Sequence, residues 1–166
     1  PGSLHVLSIW YRIFGVSLPS ERTFGLLQHL LVVFGLYALS RPWGRATAAI
    51  VAASSVVFVL TPIGLQALAW SGAVGLGLWA VVFVVRALHC DGRSRTVAVA
   101  LAGLFTGLAL SFRPDLVLAI GLGVLLVIIR HRRRLGTRSL RRFMIGLVIG
   151  LTSIWVHLGQ AGPSAF

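Results

Sequence analysis

Residues 97–129 read VAVALAGLFTGLALSFRPDLVLAIGLGVLLVII, two apolar runs, Val97 to Phe112 and Leu116 to Ile129, that meet at the charged break Arg113-Pro114-Asp115. An ionisable group in such surroundings is costly unless it faces protein, water or a charged ligand, so it is a functional candidate by default. Pro114 lacks a backbone donor and pushes the residue before it out of the helical region, which predicts two helices here in place of one rod. The runs of 16 and 14 residues would extend about 24 and 21 Å at 1.5 Å per residue, short of a hydrocarbon core about 30 Å thick. Two undersized helices would hold Arg113 at or below the outer headgroup level, in a cavity of protein and water.

The rest of the chain is of the same character. Of its 166 residues 57% are hydrophobic and only 11% charged, with a mean hydropathy of +0.95, which excludes an ordinary soluble domain. Besides the two runs above, four stretches have the length and apolarity of a crossing: Thr23 to Leu39, Ala46 to Leu60, Leu65 to Val85, and Phe143 to Leu158. The expected fold is all-α, a polytopic transmembrane helix bundle of about six spans, forming a single domain over residues 1–166. Before the first span Leu4, Leu7, Tyr11 and Phe14 recur at helical spacing opposite His5, Ser8 and Arg12. That pattern predicts an N-terminal amphipathic helix lying at the membrane interface.

The net charge of +12 comes from fifteen Lys and Arg against three acids. In a soluble chain this would point to nucleic acid; here the cations lie in short connections and report topology. With the first connection cytoplasmic, the inside segments collect Arg41, Arg45, Arg86, Arg93, Arg95 and the run Arg130 to Arg142, leaving Arg12, Arg22 and Arg113 outside. Both ends then fall on the non-cytoplasmic side of a multi-pass protein of the cell membrane. The Arg130 to Arg142 run reads as a topogenic signal that also attracts anionic lipid. The chain starts at Pro1, shows no signal-peptide pattern and is expected to be an interior piece of a longer protein. One cysteine, Cys90, permits no internal disulfide.

Small residues spaced for close helix packing recur. Gly103 with Gly107 and Gly146 with Gly150 form two GxxxG pairs, and Ser71 with Gly75 is a third small-xxx-small spacing.

Several residues can carry chemistry. Arg113, beside a helix N-terminus, suits an anion such as the phosphate of a lipid carrier. Alternatively Arg113 and Asp115 are a satisfied turn, each complementing a helix dipole. Asp115 is either an orienting acid for Arg113 or a lone general base. Glu21 and Arg22 open the first span, as a charge pair marking the helix end or with Arg22 as a second cation for the same headgroup. Gln28 and His29 are expected to hydrogen-bond across the bundle. Trp155, His157 and Gln160 read as an interfacial anchor. His5, His89 and His131 show no metal-ligand spacing, so no metal is expected, and no nucleophile or phosphate-loop pattern is present.

The order of these elements resembles a known family. Pro1 through Gly15, Arg22 opening a span that ends Leu36-Tyr37-Ala38-Leu39, and above all Leu101-Ala102-Gly103-Leu104-Phe105-Thr106-Gly107-Leu108-Ala109-Leu110-Ser111-Phe112-Arg113-Pro114 look like segments of polytopic GT-C glycosyltransferases of the protein-mannosyltransferase-like superfamily. The resemblance implies transfer of a sugar from a polyprenyl-phosphate-sugar donor to a cell-envelope glycan, lipid or protein acceptor outside the cytoplasmic membrane. It implies that Arg113, and with less certain purpose Arg22, lies near the lipid phosphate. The family's catalytic acid would precede the position of Pro1, so the chain would hold the scaffold and donor half-site without the base. No cofactor is implied within the chain, whether the parent takes a divalent metal is left open, and nucleic acid is not an expected partner. Thr61-Pro62-Ile63-Gly64 departs from the pattern, since many relatives carry an acid after the proline. The rival readings are a transporter or lipid flippase with a broken-helix substrate site, and a non-catalytic scaffold.

Overall fold

The computed structural model describes residues 2–136, 138–152 and 154–156, and every regular element among them is helical. Eight α-helices follow in order: α1 (Gly2–Phe14), α2 (Leu18–Ser40), α3 (Arg45–Ile63), α4 (Ala69–His89), α5 (Gly92–Phe112), α6 (Gly123–Arg130), α7 (Arg132–Leu135) and α8 (Arg138–Gly150). Among the described residues three helical stretches are long and apolar enough to cross a membrane: Leu18–Trp43, Ala69–His89 and Gly92–Phe112. The shorter apolar helix Arg45–Phe58 lies between the first two. Six full spans are therefore an expectation of which three have the necessary helix.

Helix boundaries explain the difference. Helix α2 starts five residues before the apolar run because Ser17 caps it, its side chain accepting from the Ser20 N–H at 3.3 Å, with Pro19 in the first turn. Helix α4 starts four residues late. Gly64 has φ +66°, and the Leu65 carbonyl and Gln66 backbone press on Gly25 of α2 so closely that a β-carbon there would overlap them. Helix α5 starts at Gly92, five residues before its apolar run, and at 21 residues is about 31 Å long. It is long enough to cross a bilayer, so the expectation that α5 is undersized is wrong. The following run is not one α-helix either: Pro114–Val117 is 3₁₀, Leu118–Leu122 is π, and only Gly123–Arg130 is α. Proline at the start and Gly121 and Gly123 within loosen that segment. Helix α8 begins at Arg138, carrying arginines into its first turns, and the end of the expected last span lies outside the described residues.

The packing is set by small residues. Helices α2 and α4 run parallel, with Gly75 facing Leu31 and Val32 and Gly35 facing Leu78 and Trp79. Helices α5 and α8 also run parallel, and their two GxxxG pairs meet. A β-carbon at Gly103 would lie 2.9 Å from the Phe143 carbonyl carbon, and one at Gly107 2.9 Å from Gly150 Cα. Ser111 Oγ closes this contact by donating to the Gly150 carbonyl at 3.1 Å. The main core joins α4, α5, α6 and α8 through Ala80, Val84, Val99, Ala102, Ile128 and Phe143.

Residues Gly2–Phe14 are helical, and the side of α1 that packs inward coincides only in part with the expected apolar face, sharing the half-buried Leu7 and Tyr11. Leu4 and Phe14 are 68% and 58% exposed, whereas Val6 joins the core and Trp10 turns inward. The reason is local: the Trp10 indole N–H donates to the Ser20 carbonyl at 2.9 Å, and its ring lies 5.5 Å from that of Phe24.

Candidate functional site

Phe112 and Arg113 end α5. Phe112 is buried against Gly72, where a β-carbon would come within 2.6 Å of its ring, and Gln28 reaches the same point from α2. The start of α2, the start of α4 and the end of α5 therefore share one end of the bundle. Arg113 leaves the helix with an extended backbone (φ −143°, ψ 95°), as a residue before proline must. Its N–H still donates to the Ala109 carbonyl at 3.0 Å, and its own carbonyl accepts from Leu116 at 3.2 Å.

This turn sets two side chains in a fork. Arg113 Nε donates to Asp115 Oδ1 at 2.9 Å and Nη2 to Oδ2 at 2.5 Å. The hydrogen bond from Arg113 holds the Asp115 carboxyl below its ordinary value, and Asp115 in turn raises the guanidinium. Both side chains are open to their surroundings, at 41% and 56% exposure. The Nη1 amine and the second Nη2 N–H make no further bond among the described residues. The guanidinium is thus fixed in plane along its Nε–Nη2 edge and keeps three N–H donors uncommitted, two of them along the Nη1–Nη2 edge.

Beside the fork an apolar groove of about 290 Å³ runs between α4 and residues 116–124, lined by Val74, Leu78 and Val81 on one side and Leu116, Ile120 and Val124 on the other. Its polar lining is nearly nil, and it begins three residues past Arg113.

Comparison with known protein families, characterised proteins and solved structures yields no match.

Arg22 lies at the same end as Arg113 but in another place. With Glu21, Leu18, Gly64, Leu65 and Gln66 it lines a half-polar cavity of about 400 Å³ between the start of α2 and the α3–α4 turn, to which Arg113 does not contribute. Gln28 and His29 depart from the expectation of bonds across the bundle. His29 Nδ1 bonds its own helix, 2.7 Å from the Gly25 carbonyl, while Gln28 Oε1, His29 Nε2 and Ser71 Oγ are buried with no hydrogen-bond partner among the described residues. Opposite Gln28 stand Gly72 and the Phe112 ring, which offer no side-chain hydrogen-bond partner. Gln28 instead borders a cavity of about 100 Å³ with Ser3, Leu7 and Phe24, large enough for water.

His89 and His131 likewise bond their own helices, at the Val85 and Val127 carbonyls. Among the described residues no group of three His, Cys, Asp or Glu is placed to hold a metal ion. His157 and Gln160 lie outside the described residues, and Trp155 is 54% exposed. One feature escaped the sequence reading: Arg86 and Arg93, read there only as topogenic charges, line a common cleft at the opposite end of the bundle.

Proposed function

We propose that this chain is the membrane scaffold and donor-lipid-phosphate half-site of a polyprenyl-phosphate-sugar-dependent glycosyltransferase acting at the outer face of the cytoplasmic membrane. The observation that carries the reading is the Arg113–Asp115 fork with its uncommitted N–H donors, in the turn that leads at Leu116 into the lining of an apolar groove. An isoprenoid tail matches the groove and a phosphate matches the donors. Asp115 acts as the orienting acid: it holds the guanidinium in one plane without consuming the donors that face outward. As the acceptor hydroxyl displaces the lipid phosphate from the sugar, negative charge grows on the departing oxygen, and a preorganised guanidinium offsets it. A carboxylate acting as general base takes the hydroxyl proton. Arg22 lines a separate cavity at the same end of the bundle and is left out of this half-site.

The test is binding of a polyprenyl monophosphate to the protein in detergent, together with sugar transfer by the intact protein. Arg113→Ala is expected to weaken binding and to cut turnover about a hundredfold, while Arg113→Lys retains more of both because a point cation still meets phosphate. Unchanged binding and turnover in Arg113→Ala would refute the proposal.

The 3₁₀ and π turns over Pro114–Leu122 favour a second reading, since transporters build substrate sites on discontinuous helices. Movement of a labelled polyprenyl phosphate across a proteoliposome bilayer, without sugar transfer, would select it.

A further inference from the structure

At the arginine-rich end of the bundle the guanidinium groups fall into two sorts. Arg95 is committed: it pairs with Asp91 and donates to the Cys90 carbonyl at 2.8 Å and the Arg134 carbonyl at 3.0 Å. Arg142 donates to Thr96 Oγ1 at 2.8 Å. Arg86, in the last turn of α4, and Arg93, in the first turn of α5, have no hydrogen-bond or ion-pair partner among the described residues. They are nevertheless brought together, because the turn through Cys90 and Gly92 (φ +57°) returns the chain directly.

These two cations rim a cleft of about 320 Å³ whose remaining lining includes the Ser94 hydroxyl and, deeper, Phe83, Val97 and Leu101. Phe83 precedes Arg86 by one turn of α4, and Val97 and Leu101 follow Arg93 by one and two turns of α5. Charge therefore sits at the helix ends and apolar surface lies about 5 to 12 Å deeper along the helix axes. Asp91, the acid at this turn, pairs with Arg95 and not with Arg86 or Arg93.

We propose that this cleft binds an anionic phospholipid, its phosphodiester between Arg86 and Arg93 with Ser94 donating a hydrogen bond, and one acyl chain along Phe83, Val97 and Leu101. The vertical order of charge over apolar floor is that of a lipid at a leaflet boundary, and the two like charges have no other partner to balance them. A soluble phosphate would satisfy the rim and leave the floor exposed. The inference rests on the long helices crossing a bilayer and is independent of the transferase reading.

Native mass spectrometry of the protein in dodecyl maltoside, titrated separately with phosphatidylglycerol, phosphatidylcholine and inorganic phosphate, tests it. Phosphatidylglycerol is expected to bind at least about tenfold more tightly than either of the others. Replacing both cations, Arg86→Gln with Arg93→Gln, should weaken it roughly thirtyfold, the effect of two charge contacts at the membrane surface. The matched pair Arg41→Gln with Arg45→Gln, at the same end, should change it less than about threefold. Should the first double variant fail to fold, each single variant is expected to lose roughly fivefold. Equal losses in both pairs, equal affinity for phosphatidylcholine, phosphate binding as tight as lipid, or no phosphatidylglycerol adduct would each overturn the proposal.

Discussion

Adding one methyl group at Gly107 should push α5 and α8 apart. A β-carbon there would stand 2.9 Å from Gly150 Cα and 3.0 Å from its carbonyl carbon, where ordinary contact begins at 3.4 Å. Every group it meets is backbone, including the Leu147 carbonyl oxygen, so no side chain can rotate away and the helices must separate by about 0.5 Å or more. A gap of that size forfeits a quarter to a half of the dispersion attraction of each atom pair across the contact. Overpacking of this kind costs about 1–3 kcal/mol. Gly146→Ala meets the Ala100 carbonyl and the Leu104 nitrogen in the same way and should cost as much. Because either methyl group alone forces the same separation, Gly107→Ala with Gly146→Ala should cost less than the sum of the two, by about 1 kcal/mol. Gly123→Ala is the control: a β-carbon there meets nothing within 4 Å, and a helical alanine gains about 0.4–1 kcal/mol through the unfolded state. Reversible unfolding in mixed micelles, followed by circular dichroism against the mole fraction of dodecyl sulfate, measures all four. Gly107→Ala and Gly146→Ala both within about 0.3 kcal/mol of the parent would refute the parallel α5–α8 contact.

Gly72→Ala should destabilise by about 1–3 kcal/mol through Phe112, whose ring lies 2.6 Å from the new carbon, and Phe112→Leu should restore part of the loss; no rescue would place the strain elsewhere. Gln28→Met should stabilise by about 1–2 kcal/mol in the same unfolding assay, because it removes a buried oxygen without a protein partner; destabilisation would mean that water in the adjoining cavity satisfies it. Ser17→Ala should cost about 1 kcal/mol by uncapping α2, read as the same midpoint shift. Asp115 has its pKa lowered in the folded state, so its pairing with Arg113 contributes above the ordinary carboxylate range, about pH 4, and is lost as pH falls through the lowered value. The stability difference between the parent and Asp115→Asn should therefore be flat from neutral pH down to about pH 5 and vanish in stronger acid; a difference that persists there would exclude the ion pair as its cause.

Composition and apolar periodicity made the helical class legible, and Pro114 made the break at Arg113 legible, because both act locally. The GxxxG pairs were legible as packing surfaces, but their partnering of each other was not: Gly107 and Gly150 meet only through tertiary structure. Helix starts were misplaced where polar residues are helical. Gly92 to Thr96 and Leu18 to Arg22 extend their helices beyond the apolar runs, and counting apolar residues alone made α5 appear too short. At the candidate site, the closeness of Arg113 and Asp115 followed from their spacing, whereas the fork geometry and the groove beside it depend on how α4 packs. Arg86 and Arg93 look like any other loop arginines in sequence. Their distinction lies in what Asp91 and Arg95 do between them.

The glycine face of α5 also has a history during synthesis. Gly146 follows Gly103 by 43 residues, so at about 5–20 residues per second the ribosome delivers the matching helix roughly 2–9 s later. Throughout that interval the notch on α5 is filled by lipid tails or by a passing neighbour. Assembly of the α5–α8 contact is then an exchange reaction in which α8 must evict whatever arrived first, and substitutions that slow α8 would be felt as lowered yield before they are felt as lowered stability.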